Sequence, residues 1–136
     1  MVKESSLNAL KKALIVKGVP TDESYFIYYD HDEGLITVSY NVVEDKVYFI
    51  ANVSSSETLI GLTLEDGKLP TALCSVNSTP LLSGTHNHSR LSVSYCPYPS
   101  LKPQAISLIE SAYSIFDSLL LINGIDISLS DLGIYY

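Results

Sequence analysis

The sequence predicts an α+β fold: an antiparallel β-meander sheet with an N-terminal helix and a long C-terminal helix packed on one face. Three observations carry this. Residues 25–53 hold three runs dense in β-branched and aromatic residues, separated by short polar turns. Residues near both ends carry apolar side chains at helical spacing. The strands are grouped and the helices flank them, unlike the strict strand–helix alternation of a parallel sheet. At 136 residues the chain is a single domain, with a core over residues 1–124 and a tail or edge strand over 125–136.

The first helix is expected to start at a Ser5 or Ser6 cap and to turn one stripe, Leu7, Leu10, Ala13 and Leu14, inward. Gly18 and Pro20 stop it. Three strands follow, Tyr25–Tyr29, Leu35–Val42 and Val47–Val53. They are joined by the polar turns Asp30–Gly34 and Val43–Lys46. In the second, Ile36, Val38, Tyr40 and Val42 alternate with Leu35, Thr37, Ser39 and Asn41, so one sheet face is far more apolar than the other. Thr58–Leu64 reads as a strand before an Asp66-Gly67 turn, whereas Pro70–Leu82 reads as either a short helix or an irregular connection. Arg90–Cys96 is a strand with Leu91, Val93 and Tyr95 on one face. Beyond Pro97 and Pro99 comes the longest helix, capped by Ser100 or Lys102, with Pro103 near its first position. Its seam is Ile106, Ile109, Tyr113, Phe116 and Leu120, and Asn123-Gly124 ends it. Ile125, Ile127 and Leu129 suggest an edge strand in the tail.

Composition narrows the function. A hydrophobic fraction of 46% and a charged fraction of 17% describe an ordered globule. A net charge of −7 excludes the non-specific nucleic-acid binders, which neutralise phosphates with Lys and Arg. No segment reads as the ~20 apolar residues of a membrane span, and the N-terminus lacks the apolar core of a signal peptide. A cytoplasmic protein with no membrane contact is therefore expected. Cys74 and Cys96 are expected to be free and buried rather than paired.

Candidate chemistry is sparse. His86-Asn87-His88 has the letters of an H-N-H nuclease, and in an extended chain both histidines face one side, where they could share a metal. His31, beside Asp30, Asp32 and Glu33, would be the third ligand of a small metal-dependent enzyme. The simpler expectation is a polar loop leading into a strand, because an H-N-H nuclease spreads its named residues over a ββα-metal unit. Asp30–Gly34 opens like a calcium loop but lacks the later ligands, including the Glu at position twelve. There is no Gly-rich phosphate loop, no Gly-x-Ser-x-Gly elbow and no Cys-x-x-Cys pair. No catalytic residue, cofactor or metal is expected on the favoured reading.

The order of elements, with Leu14–Pro20 closing the first helix, Glu44–Ala51 entering a strand through an acidic turn, and Arg90–Pro99 followed by Leu101–Ile109, resembles class I type III secretion chaperones and the related bacterial regulator-like domains. The sequence departs from that pattern over residues 54–89, where the family carries a central, often dimer-forming helix. The resemblance implies a cofactor-free homodimer that holds an extended protein partner on apolar sheet and helix surfaces. Leu10, Leu14, Tyr25, Ile27, Tyr48 and Ile50 would supply the contacts. An accessory protein of a virus or mobile element, binding a host protein, would use the same mechanism with a different client.

Overall fold

Alternation of apolar and polar residues organises almost the whole chain. The computed structural model describes residues 2–16, 24–30, 34–87 and 90–136, and only the backbone of 15, 16 and 24–30. Helix α1 (Glu4–Val16) leads into strands β1 (Ser24–Asp30), β2 (Gly34–Val43), β3 (Lys46–Val53), β4 (Thr58–Glu65), β5 (Thr71–Val76), β6 (Thr79–Asn87) and β7 (Arg90–Tyr95). These pair with their sequence neighbours, all antiparallel, as one seven-stranded meander. A 3-10 turn, Pro99–Leu101, then feeds helix α2 (Lys102–Ile122). The predicted α+β architecture is the observed one.

The core lies between one sheet face and the helices. Tyr40, Phe49, Leu62, Ala72, Gly84 and Val93 form one continuous cross-strand row facing inward. Val38, Ala51, Ile60, Cys74 and Leu82 form the next. Ala105, Ile109, Ala112, Tyr113, Phe116, Leu119 and Leu120 of α2 are buried against β4, β5 and β6. Tyr40 donates a hydrogen bond from its hydroxyl to the Phe116 carbonyl, 2.9 Å away. Its ring, with those of Phe49 and Phe116, forms an edge-to-face trio with centroids 4.9–6.4 Å apart. Leu7, Leu10 and Leu14 of α1 join the same core, and Val2 exchanges backbone hydrogen bonds with Gly67 and Lys68 in the β4–β5 turn.

Several expectations need correction. Residues 70–82 are neither helical nor irregular; they form β5, a hairpin turn and the start of β6. Asn77 and Ser78 both have positive φ, 50° and 63°, as a two-residue hairpin with the native strand twist requires. The region where the resembled family carries a central helix is therefore three strands. Tyr95 does not share a face with Leu91 and Val93. A bulge at Ser94 pairs Tyr95 with Ser83 while Val93 stays opposite Gly84, which moves Tyr95 to the other face. Neither Ser5 nor Ser6 caps α1, which already starts at Glu4. Leu101, not Ser100 or Lys102, is the α2 N-cap, and it makes no side-chain capping bond.

The tail forms no strand. It folds back through a 3-10 turn, Ser130–Leu132, and buries Ile125, Leu129, Leu132 and Ile134, so the core continues past residue 124. Finally, α2 with its leading turn is long and apolar enough to cross a membrane by length and composition. Part of that apolar length, Ala105 through Leu120 on one side, is buried against the sheet. The proposed Gly18 and Pro20 stop lies outside the described residues.

Candidate functional site

With both helices on one side, the opposite face of the sheet has no layer over it among the described residues. Three cross-strand rows make up its centre. They are Asn41, Tyr48, Thr63, Thr71, Thr85, Ser92; then Ser39, Ile50, Gly61, Leu73, Ser83, Tyr95; then Thr37, Asn52, Leu59, Ser75. None of these residues is charged. Lys46, Glu65 and Arg90 stand at strand ends, where Lys46 and Glu65 are 4.0 Å apart across β3 and β4. The centre of this face is uncharged and mostly Ser, Thr and Asn, with charges at its rim.

The middle row forms its apolar spine. Ile50 is half-buried, as is Tyr48 in the adjoining row, while Leu73 and Tyr95 are 43% and 52% exposed. Leu73 can lie flat because its neighbour is Gly61: a Cβ there would stand 3.3 Å from Leu73 Cγ. On β2, the Asn41 Oδ1 is enclosed without a hydrogen-bond partner among the described residues, a deficit of about 1–3 kcal/mol.

The residues expected to hold a partner divide on this geometry. Tyr48 and Ile50 belong to the open face, and in β1 Tyr25 pairs with Ser39 and Ile27 with Thr37, register positions on the second and third of those rows. Leu10 and Leu14 lie on the inner side of α1, fully buried in the core rather than on the open face. Leu73 and Tyr95, which the sequence reading missed, are exposed apolar groups at its centre. The alternation Thr71-Leu73-Ser75 was available to place Leu73, whereas the Ser94 bulge that turns Tyr95 outward has no local signature.

The histidine motif resolves differently. His86 lies in β6 on the inner face, 4% exposed, with Nε2 2.6 Å from the Tyr113 hydroxyl of α2. Burial lowers its pKa below the ordinary 6.5, so the ring is neutral near pH 7. Burial likewise raises the Tyr113 pKa, which keeps its proton. The pattern with fewest orphans has Tyr113 donating to Nε2, leaving the enclosed Nδ1–H without an acceptor. Thus His86 is a core histidine gripping the C-terminal helix. His31 and His88 lie outside the described residues. Among the described residues no group of three His, Cys, Asp or Glu side chains could hold a metal ion. Cys74, buried in β5, and Cys96, half-buried, are both free, and burial pushes the Cys74 thiol up to about 11, leaving it a poor nucleophile.

No protein family, curated protein or solved structure matches the chain.

Proposed function

We propose that this protein is a non-enzymatic protein-binding module, and that the open face of its sheet is the docking surface through which it forms a homodimer. The observation that supports this is the uncharged, partly apolar centre of that face on a chain with net charge −7. Two such copies repel wherever acidic surface meets acidic surface. A face without charge is the place where they meet at least electrostatic cost. Its area is adequate: seven strands about 4.8 Å apart and about six residues long cover roughly 600–700 Å², against about 800 Å² per partner in a standard interface. Stacked sheets about 10 Å apart would interdigitate Ile50, Leu73 and Tyr95 from each copy.

Sedimentation velocity across a hundredfold concentration range is the test. The wild type is expected to sediment as a dimer. Leu73→Glu and Ile50→Glu, each placing a charge in the central row, are expected to sediment as monomers with unchanged circular dichroism. Leu121→Glu, at the 70% exposed end of α2, is the control and leaves the dimer intact. A wild type that stays monomeric, or a dimer broken by Leu121→Glu alone, overturns the reading.

A further inference from the structure

Strand β7 ends the meander and pairs with β6 alone. Its outer edge therefore carries backbone groups with no strand beyond them, and the register identifies them. The His86 N–H donates to the Pro70 carbonyl at 2.8 Å, so at residue 86 the β6 backbone points toward β5. Backbone groups alternate sides along an antiparallel strand, so those of Thr85 and Asn87 point the other way, to their partners Ser92 and Arg90. By the same alternation the N–H and C=O of Leu91 and Val93 point outward from the edge, in the plane of the sheet. No turn, loop or tail backbone among the described residues bonds them. Just inside this edge a cleft of about 360 Å³ opens between Leu91, Ile106, Ile109 and Tyr113 on one side and the tail residues Tyr135 and Tyr136 on the other. The tail wall is fixed: the Tyr136 hydroxyl donates to Asp117 Oδ2 at 2.6 Å, and the Tyr113 and Tyr136 rings meet edge-on with centroids 5.5 Å apart.

We propose that the β7 edge and this cleft together bind an extended segment of a partner protein, added antiparallel to β7 as an eighth strand, with one aromatic side chain seated in the cleft. Each half sets its own requirement. Outward backbone donors and acceptors in a row are matched by another extended backbone. A residue directly opposite Leu91 in an added strand carries its side chain on the face of Leu91, which is the cleft side. The apolar walls and the two tail tyrosines suit a ring there. Arg90 and Glu110, opposite in sign and both exposed, also line the cleft, so it selects no net charge. The Ser94 bulge and Pro97 confine the regular edge to Arg90–Val93, enough for a short segment. A second copy fits worse. Two β7 strands paired about Ser92 would set the copy's Val93 opposite Leu91, a side chain too small to fill the cleft, and would bring two chains of net charge −7 edge to edge. The inference deepens the reading of this chain as a protein-binding module but does not depend on self-association, which uses the open face.

The probe is the peptide Ser-Thr-Val-Ser-Phe-Thr-Ser, blocked at both ends, whose Val and Phe fall opposite Val93 and Leu91. It is titrated into ¹⁵N-labelled protein, following the Leu91 and Val93 amides by chemical shift and by hydrogen exchange. Both amides are expected to shift saturably and to exchange more slowly. Replacing the peptide's Phe by Ala is expected to weaken binding about tenfold or more, the worth of a buried ring. N-methylating the Phe amide, which keeps the ring and removes the donor to β7, is expected to weaken it at least about three- to tenfold. Ile106→Trp, built from a half-buried position on the cleft wall, is expected to reduce the Phe peptide to the affinity of the Ala peptide while leaving the melting temperature in place. The two altered peptides test the same points without touching the protein's own fold. No saturable shift up to the solubility limit, shifts centred on Ile50 and Leu73 of the open face, or equal binding of all three peptides would each overturn the proposal. So would slow exchange at Leu91 and Val93 in the free protein that grows with its concentration, which would place a second copy at the edge. Sedimentation of the wild type decides the dimer separately, so either reading can fail alone.

Discussion

Two glycines, on β4 and β6, show how much one Cβ can matter. At Gly84, in β6 opposite the bulge of β7, a Cβ would lie 2.3 Å from the Ser92 carbonyl oxygen, a backbone atom that cannot move aside. At Gly61 it would meet only the tip of Leu73. Gly84→Ala is therefore expected to cost about 2–3 kcal/mol in chemical denaturation. Gly61→Ala should cost under about 1 kcal/mol, yet weaken the dimer by tilting Leu73. His86 makes stability depend on pH. Its folded pKa lies below its ordinary 6.5, so the unfolded chain binds more protons just below that pH. Its contribution is complete above pH 6.5, declines on acidification, and levels off below the folded-state pKa. The slope is at most about 1.4 kcal/mol per pH unit. Many carboxylates titrate at lower pH, so the measurement is the difference between wild type and His86→Gln from pH 7.5 to 5.5. A difference that does not vary with pH over that range would place the ring in a solvated setting. Tyr40→Phe, which strips the hydroxyl from the Phe116 carbonyl, should lower stability by about 1 kcal/mol while leaving the aromatic trio in place.

At the scale of elements, the ends of the structure obey local rules and the middle obeys pairing. The end of α2 follows the pattern its letters announce. Gly124 has φ 76°, its N–H donates to the Leu121 carbonyl, and the Ile125 N–H donates to Leu120 while both apolar side chains are buried. Asn77-Ser78 is a weaker announcement, which is why β5 and β6 were hard to foresee. Ser78 has φ 63°, a conformation glycine adopts without cost. Ser78→Gly is expected to stabilise the hairpin by about 0.5–1 kcal/mol, read as a rise in denaturation midpoint. A fall would mean that the Ser78 side chain serves another purpose. Within β6, an extra residue between Ser75↔Pro80 and Cys74↔Leu82 leaves Leu81 and Leu82 adjacent and both buried. No alternating pattern survives such a bulge, and Pro80 further disguises the strand.

At the scale of the whole molecule, layering decides what is left for function. Two helices and a tail cover one face of a seven-stranded sheet, and the uncharged face remains. Because each copy carries −7, salt should tighten the dimer: raising ionic strength from 50 to 500 mM screens repulsion between the acidic rims without touching an uncharged interface. A dimer that dissociates with salt would instead be held by ion pairs. Local sequence signals were enough for the fold class, α1, β1 to β4, β7 and α2: helical spacing for the helices, and alternation or a density of β-branched and aromatic residues between polar turns for the strands. The sequence also determined that Tyr48 and Ile50 share a face, because alternation alone dictates that. The stripe of Leu10 and Leu14 already pointed inward by its spacing, whereas tertiary packing was needed to show that the tail caps the core and that Tyr95 turns outward. Those outcomes depend on which surfaces meet and where a bulge resets the phase. Tertiary packing also decided the fate of His86: a histidine in an extended run is polar by its letters, and becomes a buried neutral donor because β6 lies under α2, 27 residues away from Tyr113 in the chain.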